Sequence, residues 1–327
     1  MTASCDIFCV RDWVLEAVLI ISLVTYLVCL IAIWRHLRTD FRSPFWKLCI
    51  SAGVSDLAKI VHFHWALKLP SHGYFTDFYH MAGSMLARFA LVGDHFLLHC
   101  QIFGVLLITL NRFSAIIWPT KHSMLWKRGR LICAVLLQYG LSLAAVSVII
   151  PMKYQWWPVS RNSSGVAPSL AARSDRLLFH RYLQANMYWS GVRVPLYVLL
   201  YGLMVVRICK RRCVHDVTLS KVHVRLCVFA GVLVFLDLQS CVSLLSITKI
   251  RPSGSSLRVW KFYLQLLSEV FSWINVWLLL ATSTMLRKRT VELLCCMRYT
   301  YAPVSTAGTR RSNTISRSIM RQSVTRV

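Results

Sequence analysis

The chain has 327 residues, is 56% apolar and only 15% charged, and carries Lys+Arg 38 against Asp+Glu 12 for a formal net charge of +26. An ordinary soluble domain is about 45–50% apolar and about 25% charged, so these figures exclude a soluble enzyme of usual composition, and the abundance of Trp and Phe excludes a disordered chain. The charge alone would fit a nucleic-acid binder, but the apolar residues run in long blocks, which leaves a multi-pass membrane protein with one basic side and no nucleic-acid partner.

A helix needs about 20 mostly apolar residues to cross ~30 Å of hydrocarbon. Seven blocks qualify in chain order: 13–34, 45–69, 96–118, 131–151, 187–209, 223–248 and 260–286. They predict an all-α, seven-helix transmembrane bundle over 13–286, an outer N-terminal segment at 1–12 and a basic Ser/Thr-rich tail at 287–327. The alternation of a closed barrel is missing, so the backbone groups have to be satisfied within helices. The segment before the first block holds Asp6, Arg11 and Asp12 instead of a basic leader, so this block reads as a span and not as a signal peptide. The third block is weakest at its outer end, at Asp94, His95 and His99, and the fifth is interrupted by Arg193 and Pro195.

Assigning the connecting loops to alternate sides puts about twice as many Lys and Arg on the side of the tail as on the other. The positive-inside rule then places the tail in the cytoplasm and the N-terminus outside the plasma membrane. The sequon Asn162-Ser163-Ser164 falls in the outer loop 152–186, where a glycan would be added. After the last block, Arg287-Lys288-Arg289 precede Val291, Leu294 and Cys295 at helical spacing, a pattern that suits a lipid surface. Cys295 and Cys296 are placed for S-palmitoylation.

At the inner end of the third block stands Leu110-Asn111-Arg112-Phe113-Ser114, followed by Trp118-Pro119-Thr120-Lys121-His122 and Trp126; the second block ends in Lys68-Leu69-Pro70. With seven spans and an outer N-terminus, these segments resemble the nematode serpentine receptors of class gamma, a chemoreceptor-type family of G protein-coupled receptors. Class V serpentine receptors, which share a similar N-R-F segment, come next. The resemblance is clearest over 43–130. It implies a membrane receptor that binds an external small-molecule cue and signals through a heterotrimeric G protein, with Asn111, Arg112 and Phe113 at the coupling surface and Arg112 facing the G protein in the active state.

Departures from the rhodopsin-like pattern matter too. D-R-Y is replaced by N-R-F, and Asn111 cannot hold Arg112 as a charge. Asn275 is followed by Val276, not by Pro, and the sixth block has no proline. The disulfide usual in that architecture has no partner cysteine in 152–186; a bridge between Cys5 and Cys9, or one using Cys100, stays open.

Ionisable residues inside spans point to pairing or to function. At a rise of ~1.5 Å per residue, Asp56 and Asn275 both lie ~16 Å above the inner boundary, as one polar layer on neighbouring helices. By resemblance this layer is the network that rearranges on activation. Lys59, Arg193, Asp237 and Glu269 lie higher, at ~21–25 Å, and their charges cancel. The ring order of such a bundle predicts the pairs Arg193–Asp237 and Lys59–Glu269, either as structural bridges or as the polar points of a ligand pocket.

Other constellations carry less. His95 and His99 have a spacing that suits zinc but no third ligand is specified, so no metal is assigned. Without a nucleophile elbow, P-loop or dinucleotide glycine motif, no enzymatic activity and no cofactor are expected. The rival readings are a ligand-gated channel or transporter, for which matched half-repeats would speak, and a receptor-like protein without signalling.

Overall fold

The computed structural model describes residues 3–71, 73–159, 169–174, 176–212, 231–232 and 254–295. Met1–Thr290 form one compact unit and Val291–Val327 a second. Helix α1 (Ala3–Arg35) carries the first apolar block. Helix α2 (Pro44–Phe63) starts with proline at its first position, where the missing N–H is not needed. A π-turn (His64–Lys68) and a last turn (Leu69–Ser71) continue it. Helix α3 (Thr76–Ile117) is followed by the short α4 (Pro119–Leu125), again led by proline, and by α5 (Arg128–Val146). Strands β1 (Tyr154–Val159) and β2 (Ser169–Ser174) pair antiparallel, with Tyr154 opposite Ser174. Helix α6 (Arg176–Arg212) contains Pro195, and α7 (Gly254–Thr282) leads into α8 (Thr284–Cys295).

Several of these elements depart from the reading of the apolar blocks: α1 begins at Ala3 and α6 at Arg176, each ahead of its block, and the last block is broken between Thr282 and Thr284. Helix α3 begins at Thr76, well before the block at 96–118. Its first part breaks at Gly83, whose φ of 59° and ψ of −145° suit a residue without Cβ. The segment 152–186, expected as an outer loop, contains the β-hairpin, which the all-helical expectation did not include, and the start of α6. The block at 223–248 lies outside the described residues apart from 231–232, and so does the question of how it is built.

The described helices are inverted in polarity relative to a water-soluble bundle. Ile20, Ile21, Val24 and Ile31 on α1, Leu136 and Leu137 on α5, and Val198 and Leu199 on α6 are exposed, whereas Ser22, Asp56, Gln101, Thr109, Asn111 and Gln138 are buried. A surface of this kind is stable against hydrocarbon, where the outside is as apolar as the core and polar groups must find partners inside. Val14–Arg35, Thr76–Ile117, Arg128–Val146 and Leu177–Lys210 are each long and apolar enough to cross a membrane, and Glu269–Thr282 with Thr284–Leu294 forms a further, bent candidate.

Helix α3 is the central post. Its Val105 packs with Tyr197 of α6 and Leu267 and Phe271 of α7. Its Ala87 packs with Val146, Ile149, Tyr154 of the hairpin and Tyr182 of α6. Its Ile116 packs with Met204 and Ile208 of α6. The approach to α2 is close: a Cβ on Gly93 would lie 2.6 Å from the His62 ring. At the other end of the bundle the chain turns by 103° at Ser283. The Ser283 hydroxyl accepts the Leu286 N–H at 3.1 Å, which caps α8, and Arg287 donates to the Leu280 and Ala281 carbonyls at 2.9 and 2.8 Å, which caps α7.

Candidate functional site

Asp56 lies in the middle of α2 and is only 1% exposed. Its carboxylate accepts from the Tyr26 hydroxyl on α1, from Gln101 Nε2 on α3 at 2.7 Å and from Asn275 Nδ2 on α7 at 3.0 Å. One acid therefore ties four helices together through neutral donors. The structure brings Asp56 and Asn275 together, as their common depth predicted. Tyr26 and Gln101 were not foreseen. A glutamine inside an apolar block was a readable signal; a tyrosine in α1 looks like any other span aromatic. The outward oxygens of the two amides, Gln101 Oε1 and Asn275 Oδ1, are buried without a partner among the described residues. A second layer of polar groups extends the hub to α5: Ser55 Oγ meets Tyr139 Oη at 3.2 Å, and Gln138 Nε2 donates to the Cys100 carbonyl at 2.9 Å.

The charged layer above is wired differently from the expectation. Lys59 pairs with Asp94, to whose backbone carbonyl it also donates, and not with Glu269. The cause is the length of α3: Asp94 had been read as an outer-boundary residue but lies well inside the helix, facing α2. Glu269 instead meets Lys68, at 3.6 Å, and Lys68 also meets Glu16 of α1 at 2.6 Å. His64 Nδ1 lies 3.5 Å from the same Glu16 carboxylate. Lys68 and His64 both belong to the π-turn, which adds a residue to the helical turn and changes which neighbour the later side chains meet. Arg193 is buried on α6 and donates to Ser190 Oγ at 3.0 Å. Its expected partner, Asp237, lies outside the described residues, as do Asn162 and Cys296 and the side chains of Cys5, Cys9 and Cys295. Cys100 is a free, buried thiol, which removes it from the disulfide alternatives. His95 and His99 pack among aromatic rings; His99 Nε2 meets the Tyr182 hydroxyl at 3.0 Å.

At the inner end of α3, Arg112 lies over the ring of Phe45, with Cζ 3.4 Å from the centroid. Asn111 is buried, and its Nδ2 has no partner among the described residues; Arg112 Nε has none either. Phe113 sets its ring edge-on to Trp118 at 5.5 Å. Ser114 closes the Leu110–Ser114 motif without a role read for it in the sequence, yet it joins α3 to α4. Its hydroxyl donates to the Asn111 carbonyl at 2.9 Å, accepts from Trp126 Nε1 at 2.8 Å and meets His122 Nδ1 at 3.0 Å. A serine has one proton and two lone pairs, so with the proton directed at Asn111 the His122 contact requires a proton on Nδ1. Burial, and then the charge of Arg112, lower the His122 pKa from its ordinary value. Ser114, His122 and Trp126 thus form a clamp on the turn after Arg112.

A related anchor holds the start of α8. Arg289 Nε donates to Asp40 at 2.7 Å, and Thr290 Oγ1 lies 3.7 Å from Cys29 Sγ. Two of the three basic residues expected at the lipid headgroups, Arg287 and Arg289, therefore act as an intramolecular cap and an ion pair.

The chain matches the family model described as serpentine type 7TM GPCR chemoreceptor Srv over residues 15–296. It belongs to that family. The class V alternative, placed beside class gamma on the N-R-F segment, is the one the matched model describes. The chain is 29% identical over 174 residues to serpentine receptor class V-1 of Caenorhabditis elegans, an alignment that covers 52% of this chain and 54% of that protein. The chain thus spans about half the length of the curated relative it matches. An all-α membrane bundle of the seven-transmembrane type, and a receptor family rather than an enzyme family, follow from the Srv match.

Proposed function

We propose that this Srv-family chain is a plasma-membrane chemosensory receptor that binds an external small-molecule cue and signals through a heterotrimeric G protein. The observation that carries the reading is the Asp56 hub: a buried acid bonded to α1, α3 and α7 makes their positions interdependent. A ligand that binds one arrangement of these helices more tightly than another shifts the balance between them. Asp56 and Asn275 serve as the activation network. Asn111, Arg112 and Phe113 form the coupling end, on the basic inner side. Lys59, Glu269, Arg193 and Asp237, with the newly found Asp94, Lys68 and Glu16, supply the polar points of the outer half, where the ligand enters. In this reading the N-terminus is outside, seven spans run over 13–286 and 287–327 form the cytoplasmic tail. Asn162 carries a glycan, and Cys295 and Cys296 carry acyl chains that add to lipid binding.

The test is expression in reporter cells exposed to a broad panel of volatile and water-soluble small molecules, comparing wild type with Arg112→Ala. The expected result is a dose-dependent wild-type response that the substitution removes while surface staining of an N-terminal tag is unchanged. Normal coupling by Arg112→Ala would overturn the role of the arginine. A response as current in membranes stripped of G proteins would make the chain a channel.

A further inference from the structure

A cation at the end of a membrane helix normally has an acid or a carbonyl as partner. Among the described residues Arg112 has no acid or carbonyl partner: its Nε is buried without one, the side chain as a whole is half-buried, and the neighbouring position is occupied by the neutral Asn111. What it has is the face of Phe45. The guanidinium carbon lies 3.4 Å from the ring centroid, well inside the ~6 Å over which a ring quadrupole attracts a cation. The ring itself is firmly set. Phe45 is buried in the first turn of α2, Trp46 meets it edge-on at 5.0 Å, and Phe41 meets Trp46 at 4.6 Å.

We infer that Phe45 is the positioning residue of the coupling arginine: its ring holds Arg112 against α2 in the resting receptor, in place of an acidic neighbour, and releases it when the inner end opens. The inference rests on the coupling role proposed for Arg112. A ring of this kind offers no directional bond, so the side chain can leave it by sliding, without stranding a hydrogen-bond partner. The clamp formed by Ser114, His122 and Trp126 keeps the backbone beyond Arg112 fixed meanwhile, so release concerns the side chain and not the turn.

The experiment uses the full-length receptor in lipid nanodiscs with purified heterotrimeric G proteins and no ligand. Phe45 is replaced by mono-, di- and trifluorophenylalanine, which keep the shape of the ring while draining its negative face. Basal nucleotide exchange is expected to rise stepwise, to about 5- to 30-fold above wild type at the end of the series. Labelling of Arg112 by an arginine-selective dicarbonyl reagent, which needs no G protein, is expected to rise in parallel, and Phe45→Trp to return both at or below the wild-type level. A fluorine series that is flat in both readouts, at unchanged melting temperature, would overturn the inference. If Arg112→Ala abolishes exchange in that case, only the holding role of Phe45 falls; if Arg112→Ala exchanges normally, the coupling role falls and the holding role with it.

Discussion

Asp56 and Arg112 are charged groups of one bundle that are held by opposite means. The carboxylate is met by donors from three other helices, each with its own direction. The guanidinium lies against a flat ring that offers no direction at all. A charge held by several oriented bonds can move only if its partners move with it, whereas a charge held by a face can leave alone. In the function proposed, the middle of the bundle transmits a displacement between helices, and the Arg112 end lets one side chain go.

The largest effect that would break this contrast is expected at the hub. Asp56→Ala strands the Tyr26, Gln101 and Asn275 donors in a dry interior and is expected to destabilise the receptor by about 3–5 kcal/mol, seen as a fall in the melting temperature of the purified protein. Asp56→Asn keeps an acceptor and should cost about 1–2 kcal/mol. Equal losses for the two would mean that the donors are not satisfied by the acid. Next in size is the outer layer. A double-mutant cycle on Lys59 and Asp94 should give a coupling of about 1–3 kcal/mol, and one on Lys59 and Glu269 less than about 0.5 kcal/mol; the reverse ranking would restore the pairing read from the sequence.

Smaller again is Ser114→Ala, expected to cost about 1–2 kcal/mol because Trp126 and His122 lose their common partner. Trp126 fluorescence should shift to the red as the indole gains access to water. The smallest effect is that of pH on the same clamp. Burial lowers the His122 pKa in the folded state, so the unfolded chain takes up the proton first as pH falls. The contribution of His122 is complete above the ordinary histidine pKa of about 6.5 and is lost as the pH drops below it. Melting of the wild type at pH 7.5 and 5.5 should differ slightly more than melting of His122→Gln.

The sequence made the membrane class readable because apolar length is a strong signal, and it made the Asp56–Asn275 layer readable because helical rise converts residue counts into depth. Its failure at Lys59 has a physical cause. The outer part of α3 contains Asp77, His80, Arg88, Asp94 and His95, and hydropathy set its start too late. Two of these residues are matched locally: Asp94 by Lys59, and Arg88 by the face of Tyr154 at 5.9 Å. Partner groups are invisible to a scan that scores residues one at a time. Ser114 stood in the quoted motif without a role for a related reason, since a serine near a helix end is commonplace and only the convergence of Trp126 and His122 on it gives it one.

The wide turn at His64–Lys68 has one more consequence. In a straight α-helix each residue advances the side-chain direction by about 100°, so shortening this turn by a single residue would swing Lys68 off the two acids it serves while leaving Lys59 where it is. The second helix behaves like a shaft with a coupling cut into it: Lys59, before the turn, is phased to an acid of the third helix, Lys68, at the end of the turn, to acids of the first and seventh, and the second contact can be re-phased by length alone, with no change in the chemistry of the first.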